Sequence, residues 1–349
     1  PMPASTGLVT LGEIRSAADR IRGVIRRTPL LPVDRSAGAV PGDAPDLWLK
    51  CECLQFAGAF KLRGAYNFIS SIPPGVRQAG VVTFSSGNHA QGVAYAARAF
   101  GIPALVVMPV DAPGIKVAAV RRLGARLEMA GTTTTERKAR AEELLAEIGG
   151  TMVPPFDHPD IIAGQGTAGL EIVEQLHEAS QRRGEEIRAS RVIVPIGGGG
   201  LLSGVAAAIR ELEPGASIVG VEPDGAPKMT RSLETGHPIT LESVDTIADG
   251  LKPVRPGDLT FEHTRDLVDQ VVTVDDASIR EAVLWCQGQR LLVEPSGAAT
   301  IAALASGRVK PASDGATVAV LSGGNLDPSI LRAWLADAVG DASGDGDAE

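Results

Sequence analysis

Short apolar runs alternate with amphipathic segments along most of the chain. The runs are rich in Val, Ile and Leu and are bounded by glycine, proline or polar residues, which predicts strands. The segments between them repeat apolar residues at helical intervals. This alternation is typical of βαβ units. The predicted strands are 47–53, 80–84, 104–108, 126–129, 191–195, 217–222 and 317–321.

A start signal and a periodic pattern predict the first helix. Thr10 and Glu13 have the spacing of a capping box, in which each side chain bonds the backbone N–H of the other residue. Apolar residues then recur at helical intervals, and we expect the helix to end near Arg27. These apolar residues are Ile14, Ala18, Ile21 and Ile25.

Several predicted strands are apolar on both faces. Every residue at 192–194 and at 319–321 is apolar, which is typical of parallel strands that helices cover on both sides. The sequence therefore predicts an α/β fold with open, twisted parallel sheets. Ligands of such sheets bind beyond the carboxyl ends of the strands, so the turns after the strands are the candidate sites.

Length and composition indicate the number of domains and disfavour some functions. The chain has 349 residues, of which 44% are hydrophobic and 21% charged, enough for two globular domains. The net charge of −9 disfavours nucleic-acid binding. The sequence contains neither an apolar run of about 18 residues nor the pattern of a secretory signal, so we expect no membrane role. Three cysteines cannot all pair, and we expect a cytoplasmic protein.

Four consecutive glycines at 197–200 follow the strand predicted at 191–195. Their backbone can fold tightly, and the helix that begins near Leu201 offers unpaired N–H groups and a positive dipole end to an anion. This pattern predicts a phosphate site, with a flexible turn as the alternative. A nicotinamide dinucleotide, as in a dehydrogenase, is a competing ligand with Glu222 as ribose partner, but Leu202 stands where that motif needs a small residue.

Lys61 is the candidate nucleophile. Small or apolar residues flank it at 58–60 and at Leu62, so burial is expected to lower the pKa of its ammonium. An amine of this kind can form a Schiff base with a carbonyl compound. A lysine considered alone is more often a solvated surface residue.

Three further polar turns carry side chains suited to binding. The Ser-Ser-Gly-Asn-His cluster at 85–89 offers hydroxyls and helix-start N–H groups to a substrate carboxylate, with a plain N-cap as the alternative. A Ser-Gly-Gly-Asn turn at 322–325 follows the last predicted strand. At 294–297 the sequence predicts a turn that starts a helix, with Ser296 as its cap.

Together and in this order, the motifs resemble those of the fold-type II pyridoxal-phosphate enzymes, which have the tryptophan synthase β-like fold. Within them, the chain is most similar to the serine/threonine dehydratase and serine racemase group. Motifs at 157–159 and 246–250 resemble the eukaryotic-type members. The other matching motifs lie at 27–30, 57–65, 85–91, 163–167, 197–201, 220–222, 294–297 and 322–325.

The resemblance implies a role for each motif. Lys61 would join the cofactor covalently and remove the substrate α-proton, and in racemases of the group the residue equivalent to Ser86 returns a proton on the opposite face. Phe60 would pack on the cofactor ring, Asn88 would bond its phenolic oxygen, and Ser322 would face its pyridine nitrogen. The phosphate would bind Gly197, Gly198, Gly199, Gly200 and Leu201, and the substrate carboxylate would bind Ser85, Ser86, Gly87, Asn88 and His89.

The resemblance also implies an activity and an architecture. We expect dehydration and deamination of L-serine or L-threonine to a 2-oxo acid and ammonia. The alternatives are amino-acid racemisation and dehydration of threo-3-hydroxyaspartate. We expect a homodimer, with the cofactor in the cleft between two domains of each chain. The large domain is predicted at 1–55 and 156–339, the small inserted domain at 56–155, and a disordered acidic tail at 340–349.

One departure from the group concerns a metal site. Related racemases hold a divalent cation between an acid equivalent to Glu222 and a second acid at the position of Lys228. Glu222 and Ala226 are still candidate ligands in this chain, but the Lys228 ammonium would repel a cation and replace its charge. We therefore expect magnesium to have little effect.

Overall fold

Ten strands and thirteen helices are present in the computed structural model, which describes residues 7–37, 39–85, 87–112 and 114–344. No helix within these ranges is long and apolar enough to cross a membrane. The strands are β1 (Leu30–Pro32), β2 (Leu47–Lys50), β3 (Val81–Phe84), β4 (Ala104–Met108), β5 (Arg126–Met129), β6 (Thr151–Met152), β7 (Ala189–Pro195), β8 (Ser217–Pro223), β9 (Gln270–Val274) and β10 (Ala316–Val320). The helices are α1 (Leu11–Ile21), α2 (Lys61–Ser71), α3 (Pro74–Arg77), α4 (Asn88–Phe100), α5 (Gly114–Arg122), α6 (Thr134–Ile148), α7 (Pro159–Arg183), α8 (Gly200–Leu212), α9 (Lys228–Thr235), α10 (Asp258–Leu267), α11 (Asp276–Gly288), α12 (Pro295–Ala305) and α13 (Pro328–Gly344).

The strands form two sheets. The six-stranded sheet has the order β1-β2-β10-β7-β8-β9, and every neighbouring pair is parallel except β1 with β2. The four-stranded sheet has the order β5-β4-β3-β6 and is parallel throughout. Every strand predicted from the sequence is present, and the predicted α/β fold is confirmed.

The six-stranded sheet is apolar on both faces because helices cover both sides. Val192 and Val194 of β7 share one core cluster with Val205 of α8. Ile193, which points to the opposite face, belongs to a second cluster with Ile301 of α12. Burial of each such side chain stabilises the fold by about 1.5–3 kcal/mol. This two-sided core fixes the position of the turns that follow β7 and β10.

Helix α1 is shorter than predicted. The capping box between Thr10 and Glu13 is confirmed, with each side chain bonding the other residue's backbone. The helix ends at Ile21 rather than near Arg27. The reason is Gly23, whose φ of 76° lies in the left-handed region that ends a helix.

Two predictions near the C-terminus differ from the structure. The N-cap of α12 is Glu294 rather than Ser296, because Pro295 takes the first helical position, where its missing N–H is harmless. Helix α13 continues to Gly344, so the predicted disordered tail does not begin at 340. Residues 340–344 contain no proline to stop the helix, and 345–349 lie outside the described residues.

The four-stranded sheet uses only strands between Val81 and Met152, and the six-stranded sheet uses strands on both sides of this stretch. The domain boundaries at 1–55, 56–155 and 156–339 stay a prediction. Polar turns follow β3 of the smaller sheet and β7 and β10 of the larger one. These turns carry the candidate site.

Candidate active site

The glycine loop at 197–200 connects β7 to α8 and leaves no room for side chains. A Cβ atom on Gly198 would lie 2.2 Å from the Phe156 ring, and one on Gly197 would lie 2.7 Å from the Gly250 carbonyl oxygen. Gly199 is the N-cap of α8, and no side chain of the described residues caps the helix there. The N–H groups and positive dipole end of this buried helix can therefore bind an anion such as a phosphate group.

Two side chains to which the sequence assigned no role, Thr260 and Asp157 of the motif at 157–159, hold the glycine loop in place. The Thr260 hydroxyl donates to the Gly198 carbonyl oxygen at 2.7 Å. The Asp157 carboxylate accepts from the N–H groups of Asp258, Leu259 and Thr260, at 3.0, 3.1 and 3.2 Å, at the start of α10. Asp157 and Asp258 are 101 positions apart in the sequence, so no local pattern connects them.

Lys61 begins α2, directly after the N-cap residue Phe60. Its Nζ donates to the Pro155 carbonyl oxygen at 2.7 Å and lies 5.2 Å from the centre of the Phe60 ring. Pro155 directly precedes Phe156, whose ring lies against Gly198. No carboxylate among the described residues pairs with this ammonium. Burial lowers its pKa to about 8, so roughly a tenth of the amine is uncharged at pH 7.

A buried charge network anchors the helix that carries Lys61. The Arg63 guanidinium is fully buried and forms two bonds of 2.8 Å to Glu52 and two of 2.7 Å to Glu171. Glu171 also pairs with Lys50 of β2 at 2.6 Å. Paired in this way, the charges offset the cost of their burial. The network ties α2 to β2 and α7 and so fixes the start of α2.

Residues 85 and 87–89 of the polar cluster lie beyond β3, at the start of α4. The Ser85 hydroxyl accepts from the Gly87 N–H at 3.2 Å. The His89 ring is buried, with Nε2 3.2 Å from the Val153 carbonyl oxygen. Burial, followed by the nearby Lys61 charge, lowers the pKa of His89 to about 3. Because this ring is neutral and faces inward, only the backbone N–H of His89 is suited to a carboxylate.

Asn88 is held by two partners. Its amide nitrogen donates to Glu294 Oε1 at 2.5 Å, and its Oδ1 accepts from Asn325 at 2.8 Å. Asn325 also donates to the Ala57 carbonyl oxygen at 2.9 Å. These bonds fix the orientation of the Asn88 amide, which has a second N–H to donate. Burial raises the pKa of Glu294, a residue that the sequence indicated only as part of a turn.

Backbone contacts bring the turn after β10 against Lys61. The Phe60 N–H donates to the Ser322 carbonyl oxygen at 3.1 Å, and Ala59 forms an isolated antiparallel bridge with Gly323. The Ser322 side chain is buried. Its hydroxyl is neutral, so it cannot form an ion pair with a protonated ring nitrogen as a carboxylate can.

Lys228 stands at the position where, by the family resemblance, related racemases have a metal-binding acid. Its side chain is fully buried, and its Nζ lies 3.0 Å from Glu222 Oε1. The same ammonium donates to the carbonyl oxygens of Ile196, Ala226 and Leu251, at 3.0, 3.2 and 3.1 Å. A divalent cation at Glu222 and Ala226 would have to displace this ammonium, so these residues do not fit one. No cluster of three or more His, Cys, Asp or Glu suited to a metal occurs in the described part of the chain.

The groups around the glycine loop fit a phosphorylated aldehyde that carries a pyridine ring. The start of α8 suits the phosphate, and the partly uncharged Lys61 amine suits the aldehyde carbon. The Asn88 amide and the Ser322 hydroxyl suit the polar atoms of the ring. These roles stay predictions, as does that of Ser86, which lies outside the described residues.

Known proteins are similar to this chain in sequence and in fold. A family described as "Pyridoxal-phosphate dependent enzyme" matches residues 21–323. The L-threonine ammonia-lyase of Thermotoga maritima is 40% identical over 85% of this chain and 71% of that protein. The L-threo-3-hydroxyaspartate ammonia-lyase of Pseudomonas sp is 40% identical over 84% of this chain and 88% of that protein. The solved structure of maize serine racemase has a TM-score of 0.86 and 38% identity, and the match covers 97% of this chain and 100% of that one.

Proposed function

The chain belongs to the pyridoxal-phosphate dependent enzyme family, and from that premise we propose that it dehydrates and deaminates L-serine or L-threonine. The products are a 2-oxo acid and ammonia. One observation carries the proposal: a buried lysine amine without a carboxylate partner among the described residues bonds the carbonyl oxygen of Pro155, and the next residue, Phe156, packs its ring against Gly198 of the glycine loop that starts α8. The identity of 40% to two ammonia-lyases supports the same reaction class.

Different residues bind the cofactor and remove the substrate proton. The glycine loop at 197–200 and Leu201 hold the phosphate, Asn88 the phenolic oxygen and Ser322 the pyridine nitrogen. When bound, pyridoxal phosphate supplies an electron sink that makes the α-hydrogen of an attached amino acid acidic. Lys61 Nζ takes this proton, because burial keeps part of the amine uncharged. Loss of the β-hydroxyl as water and uptake of one water during release of ammonia balance the reaction.

The Ser322 hydroxyl favours elimination of the substrate β-hydroxyl over exchange of the α-proton. A hydroxyl does not keep a ring nitrogen protonated as an aspartate does, so the ring withdraws electrons more weakly. A weaker electron sink suits prompt loss of the β-hydroxyl. We therefore expect Ser322→Asp to change the visible absorbance of the holoenzyme and to lower elimination relative to exchange of the α-proton.

Amino-acid racemisation is the second candidate activity. The overall similarity to maize serine racemase favours it. So does Ser86, which the family resemblance assigns to the face of the cofactor opposite Lys61. Dehydration of threo-3-hydroxyaspartate is a third candidate, since one relative is named for that activity.

Separate incubations distinguish these activities. The holoenzyme is incubated with L-serine, D-serine, L-threonine or L-threo-3-hydroxyaspartate, and keto acid, ammonia and both enantiomers are measured. Keto acid and ammonia from L-serine or L-threonine support the proposal, and D-serine formed from L-serine supports racemisation. Lys61→Ala, supplied with the same cofactor, is expected to form neither product. Keto acid formation by this variant at the wild-type rate would overturn the proposal.

We also propose a cytoplasmic homodimer. Cys51, Cys53 and Cys286 are free and buried, which favours a reducing compartment. The dimer rests on the family resemblance. Light scattering after size-exclusion chromatography is expected to give twice the mass of one chain, and a mass equal to one chain would contradict this.

A further inference from the structure

Lys116 connects the two sheets at the edge of the candidate site. It lies in α5, which follows β4 of the four-stranded sheet, and only 11% of its side chain is exposed. Its Nζ forms an ion pair with Oδ2 of Asp249. Asp249 precedes Gly250, whose carbonyl oxygen faces the glycine loop. The ion pair therefore joins a helix of the smaller sheet to a segment that packs against the phosphate site.

The same ammonium lies close to Gly87 of the polar cluster. A Cβ atom built on Gly87 would lie 3.3 Å from Lys116 Nζ, and its three nearest neighbours would all be Lys116 atoms. Gly87 is the N-cap of α4, where no side chain of the described residues caps the helix. The ammonium and the positive end of α4 thus act on the same small space. The Asp249 carboxylate, which pairs with Lys116, lies close to this space.

The surroundings of Lys116 favour a second carboxylate partner. Burial lowers the pKa of its ammonium, and the negative charge of Glu294 acts in the opposite direction. A cation withdrawn from water in this way depends on negative partners to stay charged. Asp249 can leave easily, because 38% of its side chain is exposed and, among the described residues, its second oxygen has only a long contact of 3.5 Å, to the Ser296 hydroxyl.

We propose that Lys116 binds the α-carboxylate of the amino-acid substrate, and that Asp249 holds the ammonium until the substrate replaces it. This inference rests on the proposed function, since it adds a residue to the substrate site expected at 85–89. Lys116 then has two partners in turn: it pairs with Asp249 in the free enzyme and with the substrate in the complex. Substrate binding releases the Asp249 carboxylate to water.

Substitutions of Lys116 and of Asp249 are expected to change KM in opposite directions. Lys116→Ala should raise KM for the best β-hydroxy amino acid about tenfold or more, because one hydrogen bond to a charged group is lost, while kcat changes much less. Lys116→Arg keeps the cation and should stay within about threefold of wild type. Asp249→Asn removes the competing carboxylate and should lower KM. Arg121→Ala is the matched control, an exposed cation on the same helix that should leave KM unchanged.

Two competitive inhibitors show whether the carboxylate is the group that Lys116 binds. 3-Hydroxypropionate keeps the carboxylate of serine and lacks its amine, whereas L-serinamide keeps the amine and lacks the carboxylate. In Lys116→Ala, the inhibition constant of 3-hydroxypropionate should rise about tenfold, and that of L-serinamide should stay within about twofold. Equal weakening of both inhibitors would overturn the inference. A rise in KM for 3-hydroxyaspartate alone would also overturn it, because Lys116 would then bind the second carboxylate of that substrate.

The outcomes also separate this inference from the proposed function. Circular dichroism and the visible absorbance of the bound cofactor check that each variant is folded and loaded. An active wild-type enzyme combined with an unchanged KM in Lys116→Ala refutes the inference alone. A loaded wild-type enzyme that forms no keto acid from any candidate substrate refutes the proposed function, and the inference with it.

Discussion

Lys228 Nζ lies 3.0 Å from Glu222 Oε1, and both side chains are fully buried. The same ammonium bonds the carbonyl oxygen of Ile196, directly before the glycine loop, and that of Leu251, directly after Gly250. A fixed internal cation thus joins β8, α9 and the two backbone segments that form the proposed phosphate site. By the family resemblance, related racemases hold a divalent cation at this position.

We predict that magnesium does not activate the enzyme. The Lys228 ammonium already supplies the positive charge that Glu222 and the surrounding carbonyl oxygens need. Magnesium chloride at low millimolar concentration should change neither turnover nor Tm, relative to sodium chloride of equal ionic strength. A severalfold rise in turnover, or a clear rise in Tm with magnesium alone, would refute this.

Removal of the Lys228 charge is predicted to destabilise the fold strongly. Lys228→Met leaves the buried Glu222 carboxylate with hydrogen bonds from Met229 and Thr230 but without a cation. Loss of one member of a buried ion pair costs about 3–5 kcal/mol. Urea unfolding measures the change. Lys138→Met is the control, since Lys138 pairs with Glu142 on the surface, and its stability should be nearly that of wild type. Equal effects of the two substitutions would contradict the role of Lys228.

Gly198→Ala is predicted to weaken cofactor binding about tenfold or more. The new Cβ atom would lie 2.2 Å from the Phe156 ring, so the loop must move away from its phosphate-binding geometry. Titration of the apoenzyme with pyridoxal phosphate, followed by visible absorbance, gives the Kd. Gly215→Ala is the control, because no atom lies within 4 Å of its Cβ position. Unchanged affinity in Gly198→Ala would show that the loop does not bind the phosphate.

The sequence was sufficient for the parts of the fold with strong local patterns. The central strands β7 and β10 contain the apolar runs 192–195 and 318–320, and the capping box at Thr10 is local, so each was predicted correctly. Three strands were missed. β1 and β6 have only three and two residues, and β9 is a half-exposed edge strand, so none shows a long buried run.

Residues that act over long sequence separations could not be found from one sequence. The Lys116–Asp249 pair spans 133 positions and the Asn88–Glu294 bond spans 206. Their side chains meet only in the folded chain, where α4 and α5 of the smaller sheet lie against Glu294 and Asp249 from segments between α9 and α12. Glu294 had one signal, its place directly before Pro295, but that position indicates a helix start rather than a buried carboxyl group.

His89 is predicted to make the fold less stable at acidic pH. Its pKa is about 3 in the folded protein, against an ordinary value of 6.5, so only the unfolded chain takes up the proton between these values. The stability that His89 contributes is present above about pH 6.5 and falls by up to about 1.4 kcal/mol per pH unit below it.

Urea unfolding at about pH 7 and about pH 5 tests this contribution. His89→Asn should lose less stability than wild type between the two pH values, because it lacks the group that the unfolded chain protonates. The exposed His237 is the control position, and His237→Asn should follow wild type. If His89→Asn also follows wild type, the ring does not stay neutral in the folded protein.

The covalent partner of pyridoxal phosphate tests the central claim most directly. The holoenzyme is reduced with borohydride and digested, and the peptide that carries the pyridoxyl group is sequenced by mass spectrometry. The account predicts loss of the yellow colour and one labelled residue, Lys61, with no label in Lys61→Arg. A label on another lysine, or a colourless protein that takes up no cofactor, would contradict it.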